Sequence, residues 1–148
     1  MYKQILCPVD GSKTSNYGML EAINIAKVHH AKVRFFHVVD TYFPILDANG
    51  DFNVLYLADI QRSQGEKILK AAEDIALQSE VSVESVIVES IGERVSTLII
   101  KQVEEWPADL IVMGTHGLRG FARFMMGSDA DAVVKQSHVP VLLVKTNT

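Results

Sequence analysis

The hydrophobic period of this chain switches repeatedly between short apolar runs and helical stripes, a pattern that confines it to alternating strands and helices. Ile5 to Val9 reads as a buried strand, and Met19, Ala22, Ile23 and Ala26 then recur at helical spacing on one face. Val33 to Val39 is a second strand. A helix from about Val54 to Ser79 follows, with Ile68, Ala72, Ile75 and Ala76 as its buried stripe, and Val83 to Val88 supplies the third strand. A helix starting at Gly92 carries Val95, Leu98, Ile99 and Val103 and stops near Trp106-Pro107, because proline lacks an N–H and disfavours helix at the residue before it. Leu110 to Met113 is the fourth strand. The last helix begins at Ser128, whose hydroxyl is placed to cap it with Asp131 three residues on; Ala130, Val133 and Val134 face inward, and Val141 to Lys145 closes the series.

Strands joined through helices imply an open, mainly parallel sheet covered on both faces, with right-handed crossovers that gather the loops after each strand along one edge. Ligands bind such sheets at the carboxyl ends of the strands. One residue breaks the local rule: Pro8 lies inside the first strand, where its missing N–H would cost a ladder bond. If it holds the last pairing position, the backbone leaves the sheet where a ligand would enter.

The 148 residues suit one α/β domain over residues 1–148, and 48% apolar with 22% charged residues is an ordinary globular composition able to bury one core. A net charge of −4 and no basic run longer than two residues argue against nucleic-acid binding. No leader-like N-terminus and no window of some eighteen apolar residues is present, so the expected setting is the cytoplasm, away from membranes. The single cysteine, Cys7, falls within an apolar strand and reads as a core thiol.

Gly114-Thr115-His116-Gly117, then nine residues, then Gly127-Ser128 follows the fourth strand and leads into the last helix. Glycines let a backbone turn sharply and approach an anion, while free N–H groups and the dipole at a helix start favour negative charge. The spacing is neither the Rossmann fingerprint nor the P-loop. It indicates a nucleotide phosphate site of a third kind.

That glycine spacing resembles the signature of the ATP-binding branch of the universal stress protein family. The stretches Ile5 to Ser12, Phe36 to Asp40, Ala108 to Gly114 and Val139 to Val144 are similar to that family's first, second, fourth and fifth strands, so the likeness spans the chain. The resemblance implies a Rossmann-like five-stranded sheet of order 3-2-1-4-5, which sets Pro8, Val9 and Asp10 beside Met113 and Gly114. It also implies a homodimer paired through the last strand, and ATP, ADP or AMP as ligand, with or without Mg²⁺. Gly114, Gly117, Gly127 and Ser128 would wrap the phosphates, Ser128 doubling as a helix cap. Asp10 would accept ribose hydroxyls or hold a metal, or else serve only the turn. Val39 would offer its main-chain N–H and C=O to adenine, or else be a plain core residue. His116, Arg119 and Arg123 lie within reach of the phosphates by sequence. Asp129 departs from the family, which usually has an apolar residue there. At ~5 Å and an effective dielectric near 20 its carboxylate would repel a phosphate by ~3 kcal/mol, screened to ~1. That disfavours ATP against AMP unless a divalent cation bridges the two.

The implied activity is regulatory binding in a stress response. No Gly-x-Ser-x-Gly elbow, Cys/His pair or Walker lysine is present, so ATP hydrolysis is expected to be slow at most. Two alternatives stand beside it: a hydrolase or nucleotidyl-transfer enzyme, whose chemistry would have to come from Asp40 to Phe52 (Asp47, Asp51, Phe43, Ile45), or a dimeric interaction module that binds no nucleotide.

Overall fold

The computed structural model describes residues 1–41, 51–116 and 126–146, with 51–55 as backbone only. In chain order the elements are β1 (Gln4–Pro8), α1 (Lys13–His29), β2 (Lys32–Asp40), α2 (Asp51–Gln78), β3 (Ser82–Ser90), α3 (Val95–Glu105), β4 (Leu110–Gly114), α4 (Ser128–Gln136) and β5 (Val141–Val144). The strands form one parallel sheet in the order β3-β2-β1-β4-β5.

Side chains alternate across the sheet and split the core in two. Ile5, Cys7, Val9, Val33, Phe35, Leu110 and Val112 pack beneath α1 and α2, whereas Leu6, Phe36, Ile111 and Met113 pack against α3 and α4. The stripe of α1 is buried as its spacing predicts, and so are Ala72 and Ala76 of α2 and Leu98, Ile99 and Val103 of α3. On α4, Val134 is 44% exposed and Ala132 is buried in its stead, because one more step around the helix from buried Val133 carries Val134 to the outer rim. Burial pushes the Cys7 thiol far above its ordinary range, in keeping with an inert core group.

Two helix starts differ from expectation. Gly92 takes a φ of +74°, in the left-handed region, so α3 cannot begin there and starts at Val95 behind an Arg94 cap. The α4 cap is Gly127; Ser128 is already helical and no side chain caps that terminus.

Candidate functional site

β1 and β4 separate at their carboxyl ends. The register between β1 and β2 continues to Pro8 opposite Phe36, and the Val9 N–H donates to the Phe36 carbonyl at 2.8 Å, but pairing with β4 is last seen at Leu6 opposite Ile111. In a parallel strand successive residues turn their main-chain groups to opposite neighbours. Val9 faces β2, so Pro8 faces β4, on the side where the strands have already parted. The missing N–H therefore costs no ladder bond, and the crevice opens at the reversal of strand order.

Tight turns hold the β1 wall of that crevice. Asp10 Oδ1 accepts the Ser12 N–H at 2.9 Å, Ser15 Oγ accepts the Asp10 N–H at 3.0 Å, and Ser12 Oγ caps α1 by accepting the Ser15 N–H at 3.2 Å. Gly11 makes the turn possible with φ +80°. Asp10 is thus a turn aspartate that stands at the mouth of the crevice. Val9 is fixed from behind: His37 Nδ1 lies 2.7 Å from its carbonyl, an acceptor only, so that nitrogen carries the proton. Gly65 leaves room for the imidazole, since a Cβ there would sit 2.5 Å from His37 Cδ2. His37 is thus a positioning residue for the end of β1.

The β4 wall is built from close backbone approaches. A Cβ on Gly114 would lie 2.9 Å from the carbonyl carbon and oxygen of Thr14, and one on Gly18 would lie 3.0 Å from the Gly114 nitrogen. Gly18 was not among the sequence candidates, although a glycine inside a helical pattern is a visible signal. Met113 is a buried core residue in register with Leu143. His116 bridges the two walls, with Nε2 3.1 Å from Thr14 Oγ1 and Nδ1 3.1 Å from Thr115 Oγ1.

Gly127 closes onto the same turn. Its N–H donates to the Thr115 carbonyl at 2.6 Å, and a Cβ there would lie 3.0 Å from His116 Cα. This glycine therefore serves packing, and its N–H, expected to face phosphate, is already used. The donors left at α4 are the first-turn N–H groups of Ser128, Asp129 and Ala130, which have no intrahelical partner by geometry. Gly117, Arg119 and Arg123 lie outside the described residues, as do Phe43, Ile45, Asp47 and the Asp51 side chain.

Two further expectations are corrected. Val39 is 2% exposed and in register with Glu89; the Thr41 N–H donates to Ser90, so the alternation turns the Val39 main chain toward β3 and into the ladder. The main-chain groups of Val38 face the β1 side instead, just beyond the last β1–β2 bond. Asp129 was expected to point its charge at phosphate, but its Oδ1 accepts the Ser96 N–H at 3.1 Å, at the start of α3. Among the described residues, no group of three His, Cys, Asp or Glu side chains is arranged to hold a metal. Nor is any helix among them long and apolar enough to cross a membrane.

A doubly wound parallel sheet whose strands β1 and β4 part at the reversal of strand order, beside a helix start without a side-chain cap, defines an open α/β protein of the class that takes ligands at the carboxyl ends of its strands. The sequence model of the Universal stress protein family matches residues 1–145, and the chain belongs to that family. A universal stress protein of Methanocaldococcus jannaschii is 36% identical over 146 residues, 98% of this chain and 83% of the relative. The solved structure of universal stress protein UspA from Lactobacillus plantarum is similar with a TM-score of 0.83 at 26% identity, covering 97% of this chain and 98% of that one. A universal stress protein solved in complex with cAMP is similar with a TM-score of 0.67 at 26% identity, covering 97% of each chain.

Proposed function

We propose that this chain binds an adenine nucleotide in the crevice between β1 and β4 and works as a cytoplasmic, homodimeric regulatory module in a stress response, with little or no catalysis. The observation that carries the nucleotide reading is the parting of β1 from β4 at Pro8, opposite the Gly114 turn and the uncapped start of α4. The adenine edge would meet the main chain of Val38, the ribose would lie by Asp10, and the phosphates would accept the first-turn N–H groups of α4. Gly117 and Arg119, which the family resemblance also assigns to the phosphates, lie outside the described residues. The relative solved with cAMP supports an adenine ligand.

The dimer reading rests on β5, which among the described residues pairs only with β4 and leaves its other edge without a strand partner beside Leu142, 37% exposed. Calorimetric titration with AMP, ADP and ATP, with and without Mg²⁺, tests the ligand. Saturable heat with at least one of them is expected; no heat with any would overturn the reading. Turnover of labelled ATP above the spontaneous rate would move the protein to the enzymes.

A further inference from the structure

The N-terminus of α3 has no means of its own to satisfy its donors. Its cap residue Arg94 makes no side-chain capping bond, and no acidic residue lies in its first turn. Ser96, in that turn, is 1% exposed, so its N–H would be a buried donor without a partner if nothing else reached it. Asp129 reaches it from α4, with Oδ1 3.1 Å from the Ser96 nitrogen. One carboxylate thus lies at two helix starts, complementing the dipole of each.

The same bond fixes α4. Its cap, Gly127, has no side chain, and its start is tied to the turn after β4 through the Gly127 N–H on the Thr115 carbonyl. The Asp129 bond ties it to α3 on the other side. A first turn pinned by two tethers keeps its N–H groups aimed in one direction. We infer that Asp129 is a positioning residue of the nucleotide site, which aligns the phosphate-facing first turn of α4 by capping α3 at Ser96 and so links nucleotide occupancy to the order of the α3 N-terminus. This rests on the nucleotide reading given above. It reverses what charge alone suggests at position 129, since removing the carboxylate should loosen the phosphate donors rather than welcome more phosphate.

The test compares the wild-type chain with Asp129→Asn, which keeps an acceptor oxygen without charge, and Asp129→Val, which keeps neither. Affinities for AMP, ADP and ATP are measured by calorimetry, and Ser96 amide exchange is followed by NMR. Asp129→Val should lose affinity for all three nucleotides about equally, by about tenfold, and its Ser96 amide should exchange at least about tenfold faster. Asp129→Asn should stay within about twofold of wild type in both readouts. In the wild type, nucleotide should slow Ser96 exchange further, by the reciprocity of linked equilibria.

Asp129→Val that binds ATP as well as or better than wild type overturns the inference, as does Asp129→Asn that behaves like Asp129→Val. Should Asp129→Val not fold, the wild-type arm decides: Ser96 exchange that is fast, or indifferent to nucleotide, overturns it. A wild type that binds none of the three sinks the nucleotide reading itself; one that binds while both variants bind equally sinks this inference alone.

Discussion

Replacing Gly114 by alanine places a methyl group where α1 and β4 touch. The new Cβ would sit 2.9 Å from the carbonyl carbon and oxygen of Thr14 and 3.0 Å from its Cγ2. An ordinary carbon contact needs roughly half an ångström more, and two of the three atoms are backbone, so no flexible side chain gives way. Either the start of α1 or the end of β4 must move. Overpacking of this kind costs about 1–3 kcal/mol, and alanine returns about 0.5–1 through the unfolded chain. The mid-range net is a loss of about 1 kcal/mol, which at this chain length lowers Tm by roughly 2–4 °C. The same displacement separates the two walls of the crevice, so nucleotide affinity should fall with stability. Gly18→Ala meets the Gly114 nitrogen at 3.0 Å but gains about 1 kcal/mol of helix propensity, so its Tm should fall less. Scanning calorimetry and titration of both variants test this order. A Gly114→Ala protein with unchanged Tm and affinity would refute the reasoning.

Light scattering at micromolar concentration should give twice the chain mass, and Leu142→Lys, which sets a charge beside the open edge of β5, should shift the protein toward monomer; a monomeric wild type contradicts the edge-pairing proposal. A pH effect is expected at Glu84, where burial alone would raise the carboxyl but the Lys32 hydrogen bond and the Arg34 charge outweigh it and hold it below the usual range. Its folded pKa is lowered, so the stabilisation is complete above the ordinary Glu value of about 4.3 and is lost as pH falls through the folded value. The Tm gap between wild type and Glu84→Gln should therefore be constant near neutrality and close in acid; a gap that persists undiminished at pH 3 would contradict the assignment.

The strands and helices were legible in the sequence because burial on one or two faces imposes a period, and Met19, Ala22, Ile23 and Ala26 occupy the face that period predicts. The strand order came from family resemblance, since no local pattern says which parallel strands are neighbours. What local pattern could not supply was parity. Whether Val38 or Val39 turns its main chain toward the crevice depends on the register of β2 against β1, a non-local fact. The Gly127 cap and the Asp129 bond to Ser96 were hidden for the same reason, as each depends on an element distant in sequence. Ser12 as the α1 cap and Asp10 as a turn residue follow local rules and were within reach. Pro8 was the most useful anomaly: its conflict with a central strand marked the point where β1 leaves β4.

The central claim is that an adenine nucleotide occupies the crevice between β1 and β4 at the start of α4. NMR titration of isotopically labelled protein with AMP and ATP tests it residue by residue. The account predicts saturable shifts at the amides of Asp10, Val38, Gly114, Thr115, Ser128, Asp129 and Ala130, with residues at the opposite, amino-terminal edge of the sheet such as Lys3 and Asp109 unmoved. Saturable shifts that cluster elsewhere, or none at millimolar nucleotide, would contradict it.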